Sequence, residues 1–227
     1  MISIIIPAYN EAKSLPKLIA FLFSLSESKE IEVIISDGGS TDQTVELSKA
    51  SGAIVVRSPK KGRAAQMNFG ASVANGEILY FLHADSYPPA TFTKDIEESL
   101  SRGYSSGCYR LVFDDPHPLL QFYSWFTKFD LDYFRFGDQS LFIKKELFTS
   151  LTGFNEKLLV MEDQMFVKKI KEKADFEILN GEVTTSARKY RQVGVIKLQL
   201  IFAIILILFY LGVSQESIIR FYKRTTR

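Results

Sequence analysis

Cysteine is almost missing from these 227 residues: Cys108 stands alone. One thiol excludes an internal disulfide framework and a cysteine-rich zinc site, and it fits a reducing, cytoplasmic compartment best. Charge of one sign is equally scarce. The 28 basic and 26 acidic side chains leave a net +2, so composition gives no reason to expect a nucleic acid partner. There is no low-complexity tract, internal repeat or Pro/Gly/Ser-rich linker, and the opening Met1-Ile2-Ser3-Ile4-Ile5-Ile6-Pro7 lacks the basic lead of a secretory signal. What is present is an ordinary globular mixture, 46% hydrophobic and 24% charged. That excludes a collagen-like or wholly disordered chain and suffices for a core of normal size.

Hydrophobic patterning places strands in alternation with single helices. Ser3–Ile6 is a short β-branched run ending at Pro7, and apolar residues at Leu15, Leu18, Ile19, Leu22 and Leu25 then recur at helical spacing. Strands are predicted at Ile31–Ile35, Ala53–Arg57 and Glu77–Leu82. Between them come helices over Asp42–Ala50 and Gly62–Ala74, the latter closed by Gly76 as a C-cap. Past Ser86 the alternation loosens. Strands are expected at Tyr104–Phe113, Ser140–Ile143 and Phe176–Leu179, and helices at Leu119–Phe129 and Met161–Lys171. This is the pattern of an α/β domain whose mostly parallel sheet carries helices on both faces.

The carboxyl end differs. Leu200–Val213 carries no charge but is shorter than the ~20 residues needed to span a bilayer. Extending it back to Val193 would place Lys197 in hydrocarbon at a cost of a few kcal/mol. Behind it Arg220, Lys223, Arg224 and Arg227 face a single Glu216. An apolar helix with a basic tail suits an anionic membrane surface, at the inner face of the cell membrane for a cytoplasmic protein. The alternative is a core helix or a homodimer contact. The expected division is a domain over 1–191 and a helical appendage over 192–227.

In an open parallel sheet a ligand lies beyond the carboxyl ends of the strands. The polar clusters fall there: Pro7-Ala8-Tyr9-Asn10-Glu11 after the first strand, Asp37-Gly38-Gly39-Ser40-Thr41-Asp42 after the second, His83-Ala84-Asp85 after the fourth. Convergence of these acid-bearing loops on one rim is the main functional signal. Gly38-Gly39 lets a backbone come close to a ligand and adopt positive φ, although a plain strand-to-helix turn capped by Ser40 or Thr41 would use the same residues. Arg63, at the start of an alanine-rich helix after Lys60-Lys61, suits a nucleotide or diphosphate. His83 and Asp85, two apart on an extended segment, can face one divalent ion, Mn²⁺ or Mg²⁺, or His83 can stand behind the ligand as a packing residue. Eight of the fifteen residues from Phe122 to Phe136 are aromatic, a stripe that reads as core or as a platform for a lipid or sugar. His117, between two prolines, reads as a structural turn or a further metal ligand.

These motifs in this order, followed by Glu162-Asp163, resemble the family 2 glycosyltransferases of the GT-A fold, in particular short bacterial members whose metal motif begins with histidine. The resemblance covers about Met1 to Arg191. It implies that Pro7, Tyr9, Glu11, Asp37, Gly38 and Ala84 surround the nucleotide, with Asp37 near the base. It also implies that Asp85 with His83 holds the metal, and that Asp163, aided by Glu162, is the base that deprotonates the acceptor. Gly137, Asp138 and Gln139 would line the cleft near the donor sugar. Arg188 would close over the diphosphate, or belong to a basic membrane-facing loop. The implied activity is inverting, metal-dependent transfer from a nucleotide-diphosphate sugar, UDP-linked, to a lipid or small hydroxylated acceptor. Two rivals remain: a sugar-phosphate nucleotidyltransferase, which would need a glycine-rich basic phosphate loop directly after the first strand, and a degenerate nucleotide-binding scaffold.

Overall fold

The computed structural model describes residues 1–25, 30–131 and 137–226. The first half follows the predicted alternation: β1 (Ile2–Ala8), α1 (Leu15–Leu25), β2 (Ile31–Asp37), α2 (Thr44–Ala50), β3 (Ile54–Arg57), α3 (Arg63–Val73) and β4 (Ile78–Phe81). The second half is more broken: β5 (Ser86–Tyr87), α4 (Phe92–Ser101), β6 (Ser106–Phe113), α5 (Pro118–Trp125), β7 (Leu141–Lys144) and α6 (Lys145–Ser150). Then come α7 (Glu162–Lys171), β8 (Phe176–Thr185), α8 (Arg188–Val193), α9 (Val195–Tyr210) and α10 (Gln215–Thr225). One eight-stranded sheet runs in the order β3-β2-β1-β4-β7-β6-β8-β5. Strands β1 to β4 are mutually parallel. β7 is antiparallel to both neighbours, β4 and β6, so the sheet is mixed beyond β4.

β1 is an almost unbroken aliphatic run because both its faces are covered. Ile4 and Ile6 pack with Leu15, Leu18 and Leu22 of α1 and Phe92 of α4. Ile5 faces the other side, with Ala64, Met67 and Ala71 of α3 and Phe166 of α7. Gly70 is what lets α3 approach: a Cβ there would lie 2.6 Å from the Ile5 side chain.

Gly76 is not the C-cap of α3, a position taken by Ala74 in an extended conformation. Gly76 is instead pressed onto the start of β1, where a Cβ would sit 2.5 Å from Ser3 Oγ and 2.8 Å from the Met1 carbonyl. Its N–H and that of Asn75 are taken up by Glu32, whose carboxyl these bonds and the Ser3 hydroxyl hold below its ordinary range although burial pushes it upward.

The expectation of core for the aromatic stripe fails in part. Phe122, Trp125 and Phe129 are exposed, while Tyr133, Phe134 and Phe136 lie outside the described residues. His117 is a turn residue, its Nδ1 capping α5 by accepting from Leu119 N–H. Among the described residues no helix is long and apolar enough to cross a membrane.

Candidate functional site

The loops after β1 and β2 are stitched together. Asn10 N–H donates to Ser40 Oγ at 2.9 Å, Thr41 N–H to Asn10 Oδ1 at 2.8 Å, and Glu11 N–H to Thr44 Oγ1 at 2.8 Å. Ser40 and Thr41 therefore bind the neighbouring loop and do not cap α2, a correction to the simple-turn expectation. Asp37 is only 1% exposed, and its carboxylate accepts from the N–H groups of Gly39 and Ser40, both at 3.0 Å. Gly39 turns the chain at φ +93°, and Gly38 leaves room for Gln66, whose amide donates to the carbonyls of Ala8 and Ser36 at 2.8 Å each. Gln66 thus clamps the ends of two central strands, a role that spacing could not reveal. Tyr9, more than half exposed, stands out from this rim; Pro7 lies within β1 and Ala84 is buried.

The second group gathers where β4 meets the turn before β7 and the start of α7. His83 Nδ1 lies 2.7 Å from Asp138 Oδ1, and His83 Nε2 lies 3.5 Å from Arg63 Nη1. The Arg63 guanidinium pairs through Nε with Glu162 and through Nη2 with Asp163 at 3.2 Å. Gly137 makes the meeting possible: a Cβ there would fall 2.2 Å from Asp163 Oδ2 and 2.7 Å from His83 Nε2. A cavity of about 20 Å³, room for about one water, is lined by His83, Gly137, Gln139 and Asp163 among others.

Burial and the neighbouring Glu162 charge push the Asp163 carboxyl up to about 6, against the opposing pull of Arg63. Asp138 is driven the other way. Burial would raise it, but its bond to His83 together with the His83 and Arg63 charges outweighs burial and holds it low, and the same bond raises His83 against its own burial. Asp85 is raised, first by burial and then by the Asp138 charge. Glu11 and Arg188 also act on Asp85, and they meet each other at 3.4 Å; Ser186 N–H donates to the Asp85 carbonyl at 3.2 Å.

The structure therefore brings together His83, Asp85, Gly137, Asp138, Gln139, Glu162, Asp163, Arg63, Glu11 and Arg188. Asp37 sits at the same sheet edge but is turned into its own loop. Its expected convergence with Asp85 and Asp163 is realised by position along the rim and not by its carboxylate.

The elements after β8 fold back over this cluster. The phenols of Tyr190 (α8) and Tyr222 (α10) are raised by burial and feel the Asp138 charge. Phe202 of α9 bridges them, with ring centroids at 6.2 and 6.4 Å. Gln215 accepts from the N–H groups of Leu159 and Val160 at 2.9 and 3.0 Å, just before Met161, which enters α7 in the left-handed region at φ +67°. A non-glycine residue there is uncommon and is held by its surroundings. Gln215 and the effect of Asp138 on Tyr222 were invisible in the sequence because the residues they involve lie more than fifty residues away.

No ready-made group of three or more His, Cys, Asp or Glu ligands for a metal occurs among the described residues. Asp85 and Asp138 with His83 still fit a hard divalent ion in part. Asp85 is half-buried, its carboxylate has no hydrogen-bonded partner among the described residues, and it is raised by burial and then by a like charge that a cation would relieve. A diphosphate would supply the remaining oxygens.

The sheet order, the helices on its two faces and the acid-bearing rim define a GT-A fold, shared with solved glycosyltransferases. The profile described as Glycosyl transferase family 2 matches residues 3–154, and the chain belongs to that family. That match ends before Glu162, so the acidic pair rests on its geometry. The chain is 30% identical over 180 residues to a PGL/p-HBAD biosynthesis glycosyltransferase of Mycobacterium bovis, covering 73% of this chain and 68% of that protein. It is 30% identical over 113 residues to an undecaprenyl-phosphate 4-deoxy-4-formamido-L-arabinose transferase of Aeromonas hydrophila, covering 46% of this chain and 35% of the other. Similar solved structures include S. aureus TarS 1-349 in complex with UDP-GlcNAc, with TM-score 0.68, 20% identity, and 82% of this chain covered against 58% of that one. Another is a Pyrobaculum calidifontis mannosyltransferase in complex with GDP-Man and Mn²⁺, with TM-score 0.65, 18% identity, and 81% against 56% covered. The chain spans less than two thirds of these structures' length.

Proposed function

We propose that this chain transfers a sugar from a nucleoside-diphosphate donor, UDP-linked, to a hydroxyl of a lipid-like or small acceptor, with inversion and with a divalent metal. The observation that carries the reading is the Arg63–Glu162–Asp163 and His83–Asp138 cluster at the carboxyl edge of the parallel strands, beside Asp85. The UDP-GlcNAc complex of TarS and the lipid-phosphate substrate named for the Aeromonas relative support donor and acceptor classes. Asp163, pushed up to about 6, is mostly ionised at neutral pH yet basic enough to accept a proton. It takes the acceptor hydroxyl's proton as that oxygen bonds to the anomeric carbon, and the bond from that carbon to the diphosphate breaks with its electron pair leaving on UDP. Asp85, with His83 and Asp138 behind it, would hold Mn²⁺ or Mg²⁺, which when bound neutralises the departing diphosphate. Arg188, half-exposed and with its guanidinium paired among the described residues only with Glu11 at 3.4 Å, is placed to follow that charge.

In this reading residues 1–191 carry the transfer site and 192–227 face a membrane, at the inner surface of the cell. α9 supports it: Ile196, Leu200, Ile204, Ile207 and Leu211 recur along one side of the helix and are all exposed, Leu211 at 73%. α10 carries exposed basic residues at its end. Such a face favours an anionic bilayer surface. Co-sedimentation with vesicles containing phosphatidylglycerol is expected and should be lost in Leu200→Glu/Ile207→Glu; equal pelleting of both proteins would remove the membrane assignment.

The donor reading is tested by thermal melting across a panel of nucleotide sugars with and without Mn²⁺. A ligand at a hundredfold excess over Kd stabilises the native state by about 2.7 kcal/mol, several degrees for a chain of this size. UDP-sugars should raise the melting temperature, more with Mn²⁺ than without. A panel in which no nucleotide sugar shifts it under either condition contradicts the reading.

A further inference from the structure

An open cleft of about 970 Å³ lies beside the catalytic cluster and is not used by the donor reading. It is walled by the turn before α3, the 152–158 segment, one side of α7 and Phe209 of α9. Five lysines from three separate stretches line it: Lys60, Lys61, Lys157, Lys168 and Lys169. Two are already engaged. Lys60 pairs with Glu156 at 2.7 Å, and Lys169 donates to the Leu151 carbonyl and to Thr152 Oγ1. The exposed ammonium groups of Lys61, Lys157 and Lys168 have no acidic partner within ion-pair distance among the described residues, while Glu172 is the one lining acid not already bound by a base. At the inner end the cleft reaches Glu162, only 1% exposed, whose Oε2 is buried without a hydrogen-bond donor. A buried carboxylate oxygen left so calls for a donor from a ligand or solvent.

We propose that this cleft is the acceptor site and takes an alcohol that also carries a phosphate. One hydroxyl of the acceptor faces the base Asp163, which takes its proton, a second hydroxyl donates to Glu162 Oε2, and the phosphate lies among Lys61, Lys157 and Lys168. Lysine ammonium groups suit a phosphate as point charges, and three from different elements define a position that a lone surface lysine does not. Phe154, Phe166 and Phe209 supply an apolar wall, and Phe209 leads onto the exposed stripe of α9, so a chain attached to the phosphate has a path toward a membrane. The assignment rests on the transferase reading and adds the acceptor's chemical class to it.

The test is calorimetry of wild type and of Lys157→Gln/Lys168→Gln and Lys157→Glu/Lys168→Glu with dihexanoylphosphatidylglycerol, glycerol 3-phosphate and monooctanoylglycerol, and separately with UDP plus Mn²⁺. Wild type should bind a phosphorylated ligand, the glutamine pair should weaken it several-fold and the glutamate pair at least tenfold, and monooctanoylglycerol should bind more weakly than the phosphorylated lipid. Binding of the phosphorylated lipid alone identifies a lipid-borne phosphate, and comparable binding of glycerol 3-phosphate a soluble one; either supports the site. Monooctanoylglycerol binding as tightly as the phosphorylated lipid, no binding of either phosphate, or affinities unchanged in both variants would overturn it. If UDP with Mn²⁺ still binds in those cases, the donor reading stands while the acceptor assignment falls; a wild type that binds neither UDP nor phosphate fails at the earlier step.

Discussion

Asp163→Asn should retain UDP binding and lose transfer, with kcat lowered by roughly 10²–10⁴, the usual contribution of a positioned general base. Asn keeps the size and can still accept from the Arg63 guanidinium, 3.2 Å away, so the fold and the donor pocket should survive. What it cannot do is take the acceptor's proton. In wild type the sign of the pH dependence follows from the raised carboxyl: below about 6 Asp163 is mostly protonated and inactive as a base, so kcat should rise as pH passes upward through that value. Single-turnover rates from a UDP-sugar across pH 5 to 8 read both effects. A variant that keeps the wild-type rate, or a rate that falls across that range, removes Asp163 from the chemistry.

Asp85→Ala should do the opposite. It should abolish the metal-dependent part of UDP affinity, weakening binding in Mn²⁺ roughly tenfold or more, the equivalent of about 1.4 kcal/mol per decade, while affinity without metal stays near wild type. The physical reason is charge. Burial and Asp138 make the Asp85 carboxylate costly when alone, and a divalent cation held there would relieve that cost and offset the diphosphate charge. Alanine also lifts the like charge on Asp138, so a merely structural Asp85 would leave UDP binding intact or improve it. Unchanged Mn²⁺-dependent binding in the variant would end the metal assignment.

Local pattern revealed the first half of the fold because each element there answers to its own sequence. β1 is almost unbroken aliphatic, β2 carries Ile31, Val33, Ile34 and Ile35, and α3 is alanine-rich where it presses on Ile5. The second half resisted for reasons of range. Nothing in Leu141–Lys144 distinguishes an antiparallel strand between β4 and β6 from a parallel one, since partner and direction are set by distant chain. α4 presents only Phe92, Ile96 and Leu100 among polar residues, too sparse a stripe to stand out. β8 runs on through Asn180, Gly181 and Glu182 to Thr185, where pairing with β6 overrides weak local propensity. The site divides likewise. Its acids were legible as loop motifs after strands, but the pairing of His83 with Asp138 across fifty-five residues, and the burial of Asp37 in its own turn, depend on the folded geometry.

The most direct test of the whole account is ³¹P NMR of the protein with a UDP-sugar that stabilises it, Mg²⁺, and the hydroxyl-bearing phosphates glycerol 3-phosphate and dihexanoylphosphatidylglycerol. Sugar transfer predicts growth of the UDP resonances at the donor's expense, with a new glycosylated product, both dependent on Asp163 and Asp85. Appearance of inorganic pyrophosphate from a sugar phosphate and UTP, or a donor that binds and remains intact for hours in wild type, would contradict it.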